Sequence, residues 1–553
     1  VGRREKAPPG LQQPIKDFLG RLLKGLIRRF APTWTAPTDM DPRAFSPVDT
    51  QRAFAVDRVT DYALHDPGFF VGVSPPETTM ADLVLLPAEA WPKGFSHDHS
   101  FSFYTPDELL RQPELVSDLL EAVLPDCRLF GREQYVNGAY TQQVDDSDYG
   151  TAIYLQHKRT DAATVQLTYQ DRRVPVTMPS LDFLGGSQTL FEAFTTTFGY
   201  EFPQFDEALW EDCLEEHVAA LMAKGERQLE RISYRNSPDS DPAVAEVFLK
   251  GQAVTKVGKA FADARKGQMI TANNTHVNMR FGMGARYVAR MLVKLAHPNL
   301  ILNFGLTLDE LADKFESLWD YSKPAFCDDY TSFDGSIDEA FTGFFVLLFN
   351  AMGLPPDWID DFVEWHASLV VLGGPVGHMI PSGFVFTWVL NTVSGMAFSA
   401  LKYRMRPYVL GQPNVTRAYS GDDATHNEVL CVRPCYYAME STFILKSTGY
   451  VSDFPVFCSN IGVPGGFFAE PTNHLCRVLF RLRRGSLATC VQAYAEHTYQ
   501  LQRNYEQISQ YLTPTQRAAH SLSFRLLRAA LRLYGFPTRG AFFTKLVAHF
   551  YLL

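Results

Sequence analysis

The chain has 553 residues, of which 46% are hydrophobic and 20% charged, and its formal net charge is -10. That composition excludes a disordered tail, a coiled coil and a collagen, and the acidic total argues against a uniformly basic nucleic-acid coat, so a polyanion partner would have to be met by local patches. Single hydrophobic cores rarely grow past about 300 residues, so length alone suggests roughly two to four folding units.

Residues 1–46 are rich in Pro and Arg and read as a linker. The chain starts at Val1 with no initiator Met and no signal-peptide pattern, which reads as a fragment or a processed product. Inside the linker, Ile15, Phe18, Leu19, Leu22, Leu23, Leu26, Ile27 and Phe30 recur at helical spacing, with Lys16, Arg21, Lys24, Arg28 and Arg29 between them. This predicts an amphipathic basic helix, either packed on the body of the protein or lying on a membrane surface. Residues 47–204 mix short apolar runs with Asp and Pro turns and carry no motif.

Helical patterns dominate residues 205–319, for example from Leu209 to Arg231. Between Lys256 and Lys294 stand eight Lys or Arg against one acid, Asp263. A strand from Pro324 to Asp328, a loop and an apolar helix from Ile337 to Met352 are predicted next. The uncharged stretch from Ala367 to Leu401 is long enough to cross a bilayer, but Gly373, Gly374, Pro375, Pro381, Ser382 and Gly383 interrupt it, and it carries His378 and Asn391. A buried loop and a core helix are the better reading. A hairpin follows, with Thr416 to Ser420 as one arm, Gly421 and Asp422 at the turn, and Ala424 to Val429 as the return. The tail from Arg477 to Leu553 reads as helical and holds eleven Lys or Arg against two Glu. Eight cysteines are too few for a disulfide scaffold, and the close pair Cys431 and Cys435 lacks a second pair to complete a zinc site, so buried reduced thiols and a reducing compartment are expected.

Three segments carry chemistry when taken together. The first is CDDYTSFDGS, Cys327 to Ser336, with Asp329 and Asp334 five residues apart at the end of a strand. The second is SGFVFTWVLNT, Ser382 to Thr392, a Ser-Gly turn followed by a helix on which Thr387 and Asn391 share a face. The third is SGDD, Ser420 to Asp423. A lone Gly-Asp-Asp is a common solvated turn; a second Asp at the end of an upstream apolar strand, with a Thr- and Asn-bearing helix between, is not expected of one.

Nucleotidyl transfer needs such a set. Moving a nucleotidyl phosphate in line onto a 3'-hydroxyl calls for two divalent ions about 4 Å apart, and Mg2+ prefers carboxylate oxygens. Asp329 and Asp422, on adjacent strands, can bridge two ions, with Asp423 as a supplementary ligand. Asp334 is placed to accept a hydrogen bond from a ribose 2'-hydroxyl, with Asn391 and Ser382 completing the network, which argues for RNA synthesis. The upstream basic segment offers cations for a triphosphate.

The order Asp329/Asp334, Ser382-Gly383-Thr387-Asn391, Gly421-Asp422-Asp423 resembles motifs A, B and C of viral RNA-dependent RNA polymerases of the alphavirus-like positive-strand group. The phrases DDYTSFDGS, ARKGQMI (Ala264 to Ile270) and RFGMGARY (Arg280 to Tyr287), with the Asn391-Thr392 pair, bring it nearest the tymovirus and flexivirus order, Tymovirales. The resemblance covers about half the chain, from roughly Phe205 to Arg484. It implies an α+β right-hand fold with an antiparallel palm sheet and helical fingers and thumb: an N-terminal extension with fingers at 47–204, fingers at 205–319, palm at 320–460 and thumb at 461–553. It also implies that Arg265 and Lys266 face the incoming triphosphate, that Lys446 is the general acid toward pyrophosphate, and that Phe457, Cys458 and Ser459 grip the primer strand. Three departures stand out. Asp328 replaces a common Asn and would add a carboxylate near the metals; Arg-Lys-Gly-Gln replaces Lys-Ala-Gly-Gln; and Phe384, Val385 and Phe386 are bulky after the Ser-Gly turn.

The expected function is therefore RNA-directed RNA polymerase, the catalytic part of a viral replicase copying a positive-strand genome. Mg2+ is the expected cofactor, with Mn2+ as an alternative. Expected partners are RNA template and product, ribonucleoside triphosphates, methyltransferase and helicase domains of a polyprotein, and a host membrane surface. The expected location is the host cytoplasm, on the cytosolic face of an organelle membrane. The alternatives are a reverse transcriptase-like polymerase and a non-catalytic RNA-binding palm scaffold.

Overall fold

A computed structural model describes residues 95–96, 100–101, 106–112, 133–136, 139–142, 165, 168–169, 183–223, 241–250, 269–273, 275–330, 333–371, 374–409, 415–483 and 485–534. The linker at 1–46 with its helix from Ile15 to Phe30, and the pair Arg265 and Lys266, lie outside the described residues.

Helix and sheet are mixed along the chain. Two short hairpins, β1 (Phe95–Ser96) with β2 (Ser100–Phe101) and β3 (Glu133–Val136) with β4 (Ala139–Gln142), flank helix α1 (Pro106–Arg111). Helices α2 (Phe183–Phe198) and α3 (Glu207–Ala223) precede the antiparallel pair β5 (Val244–Leu249) and β6 (Met269–Ala272). Then come α4 (Thr275–Leu295), β7 (Leu300–Leu302), α5 (Leu308–Leu318) and β8 (Ala325–Tyr330). The sequence TLDE starts α5 as a capping box: the Thr307 hydroxyl accepts from the Glu310 N–H, and the Glu310 carboxylate accepts from the Thr307 N–H.

The middle of the chain supplies α6 (Glu339–Ala351), α7 (Pro356–Ser368), the short β9 (Val370–Val371) and β10 (Gly374–Pro375), and α8 (Thr387–Lys402). The hairpin β11 (Arg417–Ser420) and β12 (Asp423–His426) follows, then β13 (Ser447–Ser452), β14 (Val456–Phe457), β15 (Asn460–Val463) and β16 (Gly466–Ala469). Helices α9 (Pro471–Arg483), α10 (Val491–Gln502) and α11 (Pro514–Tyr534) close the described chain. No described helix is long and apolar enough to cross a membrane, and the uncharged stretch forms β9, β10, a turn and the buried α8.

The central sheet runs β13-β8-β12-β11-β7. It is antiparallel except at one edge, where β7 lies parallel to β11, a departure from the all-antiparallel sheet expected. The chain between β7 and β11 is long enough for the crossover that a parallel neighbour requires. Side chains alternate along each strand. On β8, Phe326 packs in the large core under α2, α6 and α8, whereas Ala325 and Cys327 face a second core with Phe315, Trp319 and Phe457. The large core is aromatic: Trp358 and Trp365 of α7 are fully buried among Phe281, Phe349, Phe384 and Phe386. A further core joins α9, α10 and α11, and Leu109 and Leu110 of α1 complete it. Burying two such leucines is worth about 1.5–3 kcal/mol each, enough to hold a six-residue helix that could not form alone.

Two charge and cysteine expectations change. Arg280 of the basic segment pairs with Asp361 and Asp357, Arg290 with Glu216 and Lys294 with Asp206, so these cations tie α4 to its neighbours and are not spare for a polyanion. Cys213, Cys327, Cys458 and Cys490 are buried free thiols as expected, but Cys431 and Cys435 are exposed, because the segment after β12 runs over the surface.

Candidate active site

The register of the sheet places the carboxylates. Ala424 pairs with Asp328 across β12 and β8, so Asp329, one residue on, lies at the same end of the sheet as the turn Gly421-Asp422 that joins β11 to β12. Gly421 has φ +60 and Asp422 is not positive, the pattern of a two-residue turn that a glycine in first position permits. Both Asp329 and Asp422 are exposed at this end, whereas the strand residues behind them are buried.

The turn is held from behind. The Gly421 N–H donates to the Thr392 hydroxyl at 2.8 Å, and that hydroxyl donates to the Trp388 carbonyl one turn up α8. The Trp388 indole N–H donates to the Ser420 hydroxyl at 3.1 Å, and the Asn303 amide reaches both Ser420 (3.3 Å) and the Cys458 sulfur (3.6 Å). Cys458 and Ser459, at the β14–β15 turn, both have positive φ, 50 and 60, unusual for residues with a Cβ and typical of functional sites. Sequence reasoning singled out Cys458 and Ser459 but not the brace of Trp388, Asn303 and Thr392.

Asp334 sits in a 3-10 turn, Phe333–Ser336, just past β8, and its Oδ1 accepts from the Asn391 side-chain amide at 2.6 Å. Asn391 is buried, and its own Oδ1 has no hydrogen-bond partner. The Asp422 carboxyl is pushed up to about 6, first by enclosure in protein and then by the negative charge of Asp334; Asp329 adds to the rise, and a backbone N–H and Lys250 oppose it. Because Asp422 itself is open to solvent, crowding of carboxylates is the cause that persists there.

Lys250 is the cation sequence reasoning missed. It follows directly on β5, is 7% exposed, and its charge acts on Asp422. The local sequence offers only a short apolar run ending in Lys-Gly-Gln, six residues before the basic run begins.

The turn before α8 is tightly placed. The Ser382 carbonyl accepts from both the N–H (2.7 Å) and the hydroxyl (2.9 Å) of Thr271 on β6. Gly383 has φ +103, and a Cβ there would stand 2.4 Å from the Thr271 carbonyl oxygen, so no larger residue fits. The Thr387 hydroxyl donates to the Pro381 carbonyl at 2.8 Å; it therefore closes the turn, while Asn391 on the same helix face meets Asp334. Phe384 and Phe386 are buried against Trp365 and Phe349, which accounts for their bulk: they anchor the turn in the aromatic core, and Val385 between them is exposed.

Asp328 lies apart. Asp328 faces the opposite side of the sheet from Asp329: its Oδ1 accepts from the Tyr403 hydroxyl at 2.9 Å, its Oδ2 from Ser399 at 3.4 Å, and burial raises its pKa. It is not an extra carboxylate near the metals, because alternation along β8 turns it toward α8. Lys446 is exposed, donates to the Glu440 carbonyl at 3.0 Å and immediately precedes β13, where Thr448 pairs with Asp329. Asp423 starts β12, pairs with Ser420, and its charge acts on Cys327, Cys458 and Tyr450, on the sheet face away from α8.

Among the described residues, no three His, Cys, Asp or Glu side chains converge to hold a metal ion unaided. Two exposed carboxylates beside a third are nonetheless the donor set Mg2+ takes, since it is commonly bound by one or two carboxylates with substrate phosphates and water completing the shell.

Residues 188–506 match the family described as RNA dependent RNA polymerase. The chain is 28% identical over 409 residues to the RNA replication protein of Botrytis virus F, an alignment covering 72% of this chain and 20% of that protein. It is 28% identical over 384 residues to that of Grapevine virus A, covering 66% and 22%, and 26% identical over 329 residues to that of Potato virus X (strain CP), covering 58% and 22%. The chain thus spans about a fifth of the length of these relatives. A solved structure, an insertion loop deletion mutant of the RNA-dependent RNA polymerase of a human picorbirnavirus, aligns at 12% identity and a TM-score of 0.38, over 67% of this chain and 82% of that one. That score is too low to bear on how the parts are arranged. The family match spans more than half of the chain and takes in all three of the segments that carry chemistry, and the relatives are replication proteins of the kind the sequence resembles: the chain belongs to the viral RNA-dependent RNA polymerase family.

Proposed function

We propose that this chain is the polymerase part of a larger replication protein and extends RNA on an RNA template from ribonucleoside triphosphates. The observation that carries the reading is the meeting of three distant segments at one end of the sheet: the charges of Asp334 and Asp329 both act on Asp422, and Asp334 is bound to Asn391. In the reaction a 3'-hydroxyl oxygen bonds to the α-phosphorus, the bond to the bridging oxygen breaks, pyrophosphate leaves and the hydroxyl proton passes to solvent. Bound Mg2+ would lower the charge cost at the attacking and leaving oxygens. Asp329 and Asp422 would hold it, with Asp423 assisting.

Asp334 and the open acceptor of Asn391 receive the ribose hydroxyls, Ser382, Gly383 and Thr387 fix the helix that presents Asn391, and Lys250 offsets triphosphate charge. Arg265 and Lys266 are assigned to the triphosphate by the family pattern, and Lys446 to the departing pyrophosphate. Residues 205–319, 320–460 and 461–553 are read as fingers, palm and thumb of a right hand. Other replicase domains and an organelle membrane surface in the host cytoplasm remain the proposed setting.

The test is extension of a primed RNA template by the purified chain with Mg2+ and ribonucleotides. Wild type should extend, Asp422→Asn should lose activity by about 10²- to 10³-fold, and deoxynucleotides should be poor substrates. Wild-type extension by Asp422→Asn would remove the assignment, and equal use of deoxynucleotides would favour a reverse transcriptase-like enzyme.

A further inference from the structure

We propose that Thr271 is a positioning residue for ribose discrimination, coupling the β5–β6 hairpin to the turn that presents Asn391. The inference rests on the polymerase reading above and goes beyond it in naming a residue outside the three segments that carry chemistry.

Strand β6 is the edge of its sheet, since the strand order is β10-β9-β5-β6. An edge strand leaves one row of backbone groups unpaired. The Ser382 turn takes that edge: its carbonyl receives two hydrogen bonds from one residue, the Thr271 N–H at 2.7 Å and the Thr271 hydroxyl at 2.9 Å. Thr271 is 1% exposed, and the approach is so close that only glycine fits at position 383.

The same turn touches both halves of the ribose pair. On one side the Ile380 N–H donates to the Asp334 carbonyl at 3.2 Å. On the other, the Pro381 carbonyl accepts from the Thr387 hydroxyl at 2.8 Å and the Phe384 N–H at 3.2 Å, fixing the start of the helix that carries Asn391. Displacing Ser382 therefore displaces Asp334 relative to Asn391, whose 2.6 Å contact is the ribose-facing element. Lys250 continues β5, whose Val247 is paired with Thr271. A cation facing the carboxylates and the ribose-reading turn are thus two ends of one hairpin.

Thr271→Val keeps the shape and the N–H but removes the hydroxyl bond. The measurement is single-nucleotide extension on an RNA template with ATP and with 2'-deoxy-ATP, giving kcat and KM for each. For Thr271→Val the ratio of kcat/KM values should fall about two- to tenfold, the span of one hydrogen bond, chiefly through a higher KM for ATP. Thr271→Ser, which restores the hydroxyl, should return the ratio to near that of wild type. A residue that served folding alone would lower the active fraction and hence kcat for both nucleotides equally, leaving the ratio untouched. If the valine variant fails to fold, Thr271→Ala, which adds no bulk, carries the same expectation. A folded Thr271→Val or Thr271→Ala with the wild-type ratio overturns the proposal alone. A wild-type chain that makes no RNA overturns the polymerase reading and this proposal with it.

Discussion

The Gly421 N–H donates to the Thr392 hydroxyl at 2.8 Å, so the turn bearing Asp422 hangs from the helix bearing Asn391. Thr392 is fully buried, and one turn away on the same helix the Trp388 indole N–H gives a second link, to the Ser420 hydroxyl. Thr392→Val should leave the fold intact but free the turn, lowering kcat by about tenfold, since reacting groups displaced by a fraction of an ångström lose rate steeply. Thr392→Ser should recover most of it. Primed extension rates with melting temperatures taken in parallel check this; an active Thr392→Val would show that the brace from Trp388 to Ser420 suffices.

Removing the ribose pair should alter choice more than speed. Asn391→Ala takes away the amide that donates to Asp334 and the unpartnered Oδ1 beside it. A site built around a substrate hydroxyl rejects the analogue lacking it because buried polar groups would then go unpaired. Without those groups, discrimination between ATP and 2'-deoxy-ATP should fall by about tenfold or more. Competition between the two nucleotides on one template reads this directly, and unchanged discrimination would remove Asn391 from ribose recognition.

Much of this site was legible because it is made of short, ordered segments. The hairpin around Gly421-Asp422 was readable from β-rich arms and a glycine turn; the first arm is shortened to Arg417–Ser420, and the return starts one residue earlier and ends three sooner, at Asp423–His426. The helix through Asn391 was readable from i, i+4 spacing. What could not be read were contacts set by tertiary packing. Lys250 lies more than 170 residues before Asp422, and nothing local to FLKGQ says that its strand ends at the carboxylates. Asp328 and Asp329 are neighbours of the same residue type, and only the sheet's pleat leaves Asp329 exposed near the Asp422 turn and sends Asp328 to Tyr403. The basic run up to Lys294 suggested a polyanion surface, but three of its cations meet acids from α7, α3 and the segment before α3.

Asp328 yields a stability prediction. It is a buried carboxyl receiving hydrogen bonds from Tyr403 and Ser399. Tyr403→Phe removes the shorter of these and leaves a buried acceptor short of a partner, at a cost of about 1–3 kcal/mol. Asp328→Asn, which still accepts from Tyr403 and carries no buried charge, should be close to neutral in stability and active. Urea unfolding of both variants checks the order; a Tyr403→Phe protein as stable as wild type would place water in the network.

Acid sensitivity should come in part from histidines held neutral. Burial pushes His366 down to about 4 and His520 down to about 3, and each is tied by hydrogen bonding, His366 Nε2 to the Met379 carbonyl at 3.2 Å and His520 Nε2 to Gln502 at 2.8 Å. The unfolded chain takes up protons near 6.5, whereas the folded chain does so only near 4 or 3. The stabilising contribution is therefore full above about 6.5 and is lost as pH falls through that window, at about 1.4 kcal/mol per pH unit for each histidine. Melting temperature should drop between pH 7.5 and 5.0, and His520→Gln, which keeps a polar side chain but cannot take the proton, should flatten the slope by one histidine's share. A slope unchanged in His520→Gln would mean that His520 is protonated in the folded state as readily as in the unfolded one.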